Sequence, residues 1–156
     1  MQGNADVIEA LNEVLTAELT AVNQYFIHGM MCGNWHYKAL EKHGRDESID
    51  EMKHAQEVIE RILYLDGVPN MQKYMKINVG QNVPGQHAFD LSLEKAAVAR
   101  LNAGIEVCRA AGDNGSRILL EKILREEEEH IDWLEAQIRQ IEELGLPNYL
   151  ANQAES

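Results

Sequence analysis

Proline is scarce in this sequence, with three in 156 residues, and basic residues are outnumbered, 14 Lys and Arg against 26 Asp and Glu. Few prolines leave room for long uninterrupted helices. The formal charge of −12 excludes nucleic acid as a main partner, because such binding rests on clustered positive charge. Cations suit this chain better. Cys32 and Cys108 stand alone without a CxxC pair, which argues against a disulfide framework and a thiolate zinc site and favours buried positions for both. No apolar run approaches the ~20 residues of a membrane span, and MQGNADVIEALNEVL lacks the basic start and apolar core of a signal peptide. The expectation is a cytoplasmic protein with no membrane partner, folded as a single domain over residues 1–156.

What the chain does have is helical periodicity. Ile8, Leu11, Leu15, Val22, Tyr25, Gly29 and Cys32 step by three and four, with one gap in the series, which Glu18 fills. Asn4 or Asp6 suits the cap of this helix; Gly33-Asn34 suits its end, with Asn34 capping a second helix from about Trp35 to Leu65. Asp66 to Asn82, with Gly67, Pro69 and Gly80, reads as a long crossover. A third helix starts near Pro84 and carries Leu91, Val98, Leu101, Ile105 and Cys108, with Glu94 in its gap. Gly112 stops it, and Asp113 suits a cap. A fourth helix, about Asn114 to Leu144, has Leu120, Ile123, Leu134, Ile138 and Ile141 at core spacing, interrupted by Glu127 and His130. The fold class expected is all-α: a four-helix bundle over about residues 4–144, a long crossover between helices two and three, and a short C-terminal helix over about 147–154 beginning near Pro147.

Two Glu-x-x-His pairs occur, Glu51 with His54 in DEMKHA and Glu127 with His130 in EEEEHI. Residues three apart share a helix face, so each pair is either two ligands for one ion or an ordinary solvated pair. About one such pair is expected by chance, so position has to decide. From Glu18 to Glu94 is 76 residues, and from Glu51 to Glu127 is 76 again; each lone glutamate precedes its Glu-x-x-His by 33. The chain reads as two copies of a helix pair facing each other across a pseudo-twofold axis. A bundle would bring all six side chains to one level of the core. Four bare carboxylates there would repel one another and desolvate badly. Two divalent cations offset their charge, two neutral imidazoles complete the ligand set, and carboxylate with imidazole suits iron or manganese. Paired metals of this kind make two-electron chemistry with dioxygen or peroxide available.

These residues resemble the bacterioferritins, haem-containing members of the ferritin family, over essentially the whole chain. The resemblance is carried by MQGNADVIEALNEVLTAELTAVNQYFIHGMM, ESIDEMKHA, ERILYLDGVPN, EEEEHIDWLE and LGLPNYLANQ, in order. It implies a ferritin-like bundle whose Glu18, Glu51, His54, Glu94, Glu127 and His130 form a di-iron ferroxidase centre. Glu51 and Glu127 would bridge the irons, Glu18 and Glu94 would bind terminally, and each histidine would hold one iron. It further implies iron storage and detoxification: Fe2+ oxidised with O2 or H2O2 and kept as ferric mineral in a hollow homo-oligomeric shell of 24 chains built from twofold dimers. At the dimer interface Met52 would be an axial ligand of haem b, with Leu19, Asn23, Phe26, Ile49 and Ala55 around it. A ferredoxin-type donor would send electrons through that haem to release iron.

Residue pattern bears on the Met52 assignment too. Ile49, Met52, Ala55, Ile59 and Leu63 form a second apolar strip on the second helix, and a helix with two apolar faces needs a second surface to bury one of them. Packing in a dimer seam is the plainer use of Met52. Tyr25, two turns after Glu18, is either a core tyrosine with one hydrogen-bond partner or a neighbour of the metals. Asp46 stands where many family members have histidine, Asp50 is retained, and Arg45 replaces a common tyrosine near the haem. The resemblance implies that the Asp46 and Asp50 positions are accessory ones, associated with iron on the inner face or its entry near the centre. Two other readings share the bundle: a different di-metal carboxylate enzyme, such as a manganese catalase or a rubrerythrin-like peroxidase, and a non-catalytic structural cage subunit.

Overall fold

A computed structural model describes residues 1–155. Five helices form: α1 (Ala5–Asn34), α2 (Lys38–Tyr64), α3 (Val83–Ala110), α4 (Asn114–Leu144) and α5 (Leu146–Gln153). No strand occurs among the described residues, and no helix among them is long and apolar enough to cross a membrane.

Capping follows local chemistry. Asn4 accepts hydrogen bonds from the Asp6 and Val7 amides at the head of α1, Asn82 accepts from Gly85 at the head of α3, and Asp113 accepts from Ser116 at the head of α4. The expected Asn34 cap does not form. Asn34 closes α1 instead, and the reversal takes three more residues, with His36 in the left-handed region at φ 67° and Tyr37 preceding α2 without a side-chain cap bond. The Trp35 and Tyr37 amides bond back to the Met31 and Cys32 carbonyls, so the turn is satisfied by backbone alone. Gly29 and Gly44 mark where α1 and α2 approach most closely, since a Cβ on Gly44 would lie 2.8 Å from the Gly29 Cα.

The helices stack around two apolar clusters. One gathers Val7, Leu11, Leu15, Ile62, Leu65, Leu101, Cys108 and Leu120; at the other end Cys32, Leu40, Val83 and Tyr149 pack with Trp35 and Trp133. The start of α1, the end of α2, the end of α3 and the start of α4 therefore share one end. That makes α2 and α3 parallel, which a short turn cannot connect.

The connection is the extended stretch from Asp66 to Asn82, and α1 guides it. Asn12, Thr20, Gln24 and His28 recur at multiples of four on one face of α1. Their side chains accept from the Asn70, Met75, Asn78 and Gly80 amides at 2.8, 2.9, 3.2 and 2.9 Å. A segment with no ladder of its own thus has four of its amides paired by α1, that of Gly80 in the interior.

Candidate metal centre

Between the two apolar clusters lies a charged layer. Glu18 comes from α1, Glu51 and His54 from α2, Glu94 from α3, and Glu127 and His130 from α4. The four carboxylates are no more than 2% exposed and His54 is 3% exposed. Each replaces an apolar residue in its helix's inward stripe, so the periodicity that buries leucine elsewhere buries acid here.

The ligand atoms fall into two overlapping groups. Glu18, Glu51, His54 and Glu127 form one; Glu51, Glu94, Glu127 and His130 form the other, with ligand atoms within 4.8 Å of one another in each. Glu51 and Glu127 belong to both, which is the geometry of two sites sharing two carboxylates. The His54 Nδ1 lies 3.1 Å from Glu127, 3.5 Å from Glu18 and 3.6 Å from Glu51. The His130 Nδ1 lies 3.3 Å from Glu51, 3.5 Å from Glu94 and 3.8 Å from Glu127. Both Nδ1 atoms, and oxygens of all four glutamates, are buried without a hydrogen-bond partner. Buried polar atoms are nearly always paired, so these inward-facing lone pairs fit metal ions, and O and N donors fit hard or borderline divalent ones.

Proton affinities show the same crowding. Burial, then the Glu18 and Glu127 charges, raise the Glu51 carboxyl well above the usual range. Burial and Glu127 push Glu94 up to about 8. Burial opposes protonation of the histidines, but Glu127 and Glu18 hold His54, and Glu47 and Glu94 hold His130, each up to about 11. Protons therefore stand in for cations in the metal-free layer, and metal binding must displace them.

The outward Nε2 atoms are held as well. His54 meets Glu126, and His130 lies 2.6 Å from Glu47. A carboxylate behind a ligating imidazole fixes its orientation and raises its basicity. The sequence reading missed both partners, although the 76-residue offset carries a signal for one: Glu126 matches Asp50. Asp50 is one methylene shorter and exposed, and Glu47, a turn earlier, fills the corresponding place beside His130. Glu47, Asp50 and His130 form a third cluster of potential ligands. Asp46 lies on the surface, paired with Lys42 at 2.7 Å.

Tyr25 is buried and donates to Glu94 Oε1 at 2.5 Å, with its ring edge-on to His130 at 6.3 Å. Burial and the Glu94 charge raise its hydroxyl well above the ordinary phenol range, so it stays a donor.

On another face of α2, Ile49 and Met52 are 47% and 50% exposed, and Phe26 of α1 is 54% exposed. Asn23 is exposed beside them and Leu19 is buried. The apolar strip expected along α2 is not continuous on this face: Ala55 is fully buried in the bundle core. It follows His54 by one residue, hence about 100° round the helix, and sits between the two faces.

Comparison with known proteins places these observations in a family. The ferritin-like domain family matches residues 8–144. Bacterioferritin BfrA of Mycobacterium tuberculosis is 49% identical over 97% of this chain and 95% of its own length. Bacterioferritin of Streptomyces coelicolor is 49% identical over 97% and 90% of the two chains, and that of Brucella melitensis 41% over 96% and 92%. The chain belongs to the bacterioferritin family of ferritin-like proteins.

Proposed function

We propose that this chain is an iron-storage subunit whose six-residue layer is a ferroxidase centre. Fe2+ is its substrate. Two ferrous ions supply two electrons, enough to reduce O2 to hydrogen peroxide or hydrogen peroxide to water, and the ferric product passes into the cavity of a 24-chain shell. Glu51 and Glu127 bridge the ions, Glu18 and His54 complete one position, and Glu94 and His130 the other; the whole chain serves as one ferritin-like domain in the cytoplasm. The observation that carries this reading is the convergence of unpartnered buried oxygens and Nδ1 atoms in two groups that share two glutamates. Glu126 and Glu47 hold the imidazoles in place, and Tyr25 fixes the rotamer of Glu94.

The test is titration of metal-free protein with Fe2+ in air, with ferric-oxo absorbance followed by stopped flow. A rapid phase that saturates at about two irons per chain is expected. A slow rise without a break at two overturns the ferroxidase reading in favour of a non-catalytic cage subunit or another metal.

Met52, with Ile49 and Phe26, offers a half-exposed apolar patch and a soft thioether. Those residues fit one side of a haem b held between two copies, with Asn23 exposed beside them and Leu19 and Ala55 buried behind. When bound, haem would carry single electrons from a ferredoxin-type donor towards stored ferric iron. Met52→Leu keeps the apolar volume and removes the sulfur. It should abolish haem uptake, read as loss of the Soret band, with assembly intact; unchanged uptake would overturn the ligand assignment.

A further inference from the structure

The charged layer is reached from two sides, and the approaches differ in electrostatic character. Between α2 and α4 a groove of about 320 Å³ leads to His54 and His130 past Asp50, Glu57, Glu126 and Glu129, with Lys53 and Lys122 also at its edge. Between α1 and α3, beneath the crossover, a cavity of about 240 Å³ has Glu18, Glu51 and Glu127 among its lining residues. Its sides include the small or apolar residues Ala17, Ala21, Leu93, Ala96 and Met75. Among the described residues, the charged groups that line it besides those three glutamates are cationic: Lys76 on the crossover and Arg100 on α3. Lys76 and Ala96 are exposed and Arg100 is half-buried, while the three glutamates are buried, so Lys76 stands at the mouth, Arg100 partway in and the carboxylates at the floor.

We infer that the α1–α3 cavity is an oxidant port, admitting dioxygen, peroxide or an anion of similar size and turning metal cations away; this rests on the paired-metal reading of the layer. A bare divalent ion would have to pass the two positive side chains, whereas the acidic groove on the opposite side attracts it. An apolar diatomic meets no such barrier, and alanine side walls leave it room. Two divalent ions seated at the floor would give an entering small anion a positive partner, while dioxygen and hydrogen peroxide, being neutral, need only the open path.

The experiment uses the assembled protein with Co2+ as the metal probe, azide as the anion probe and nitric oxide as the neutral diatomic probe. Co2+ uptake is followed by visible absorbance, azide binding on the cobalt-loaded protein by stopped flow, and nitrosyl formation on protein loaded with Fe2+ without oxygen. Lys76→Glu combined with Arg100→Glu should slow azide about tenfold at low ionic strength, with the difference closing in high salt. Co2+ uptake should stay unchanged in rate and stoichiometry. Ala96→Leu, at an exposed helical position where leucine is well tolerated, should slow both azide and nitric oxide and leave Co2+ alone. Faster Co2+ uptake on charge reversal would make the cavity a cation route and overturn the inference, as would unaltered azide and nitric oxide rates in both variants. Failure of the unaltered protein to bind Co2+ at all would overturn the metal-centre reading and the port with it.

Discussion

Two polar layers are buried in this bundle, and they use their hydrogen-bonding capacity in opposite ways. In the first, Glu18, Glu51, His54, Glu94, Glu127 and His130 turn buried oxygen and nitrogen atoms towards one another without hydrogen-bond partners. In the second, nearer the α1–α2 turn, Asp90 accepts from Gln24 at 2.9 Å and pairs with His28 at 2.9 Å, and His28 accepts the Gly80 amide. Alongside, the Tyr149 hydroxyl donates to Gln137 at 2.6 Å and lies 3.0 Å from the His87 Nε2. Both layers hold acid and histidine in the core, so residue type does not separate them. Satisfaction does: a closed network holds helices and crossover together, while an open one has the donor set that suits metal ions.

The sharpest way to break this contrast is to remove ligands from the open layer. Glu127→Ala with His130→Ala should slow rapid ferrous oxidation by at least about 100-fold. The metal-free variant should still fold and assemble, because the apolar clusters at both ends of the bundle are untouched. A large loss of stability or of the shell would mean that this layer is scaffold.

Cutting the closed layer should do the reverse. Asp90→Ala strands Gln24 and His28, and loss of about 3 kcal/mol is expected from denaturant titration, with the metal stoichiometry kept. Unchanged stability would show that the network holds nothing together.

The smallest effect is in pH dependence, where the two layers have opposite signs. In the folded chain burial and Glu127 push Glu94 up to about 8 from its ordinary 4.5, and neighbouring carboxylates hold His54 and His130 up to about 11 from 6.5. Between those values the folded state binds more protons than the unfolded one, so this layer's contribution is present at low pH and lost as pH rises. In the closed layer His87 is lowered by burial to about 4; its contribution is present above about 6.5 and lost as pH falls. From pH 7 to 9 only the open layer among these groups changes. Metal-free protein should therefore melt a few degrees lower at pH 9 than at 7, and Co2+ should remove that slope by displacing the protons. A rising melting temperature over this window would contradict the assignment.

The open layer was legible in the sequence because every ligand interrupts an apolar stripe and the interruptions repeat at a fixed offset. The helices were legible for the same reason, apart from the α1–α2 turn, where periodicity gives no hint that three residues, one of them left-handed His36, are needed. The closed layer was not legible. Gln24, His28 and Asp90 look like ordinary polar residues on long helices, and their partners are fixed by the path of the crossover, which has no periodicity of its own. Glu47 and Glu126 escaped notice because they lie among other acids, and only the packing of α2 on α4 sets them behind the imidazoles. Ala55 is small enough to suit either of the two faces it lies between.

The repeat that builds the centre is not carried through to its surroundings. Seventy-six residues after Tyr25 stands Leu101, a core leucine, so a phenol is set against the carboxylate at one metal position and an alkyl group occupies the corresponding place at the other. Behind the imidazoles, Glu126 serves one position from the residue next to a glutamate shared by both groups, and Glu47 serves the other from a full turn away from the second shared glutamate. Duplicated ligands in unlike settings make a pair of seats that are similar but not interchangeable. The two ions they hold would then differ in redox potential and carry separate spectroscopic signatures, and the electron that leaves first would have a fixed address.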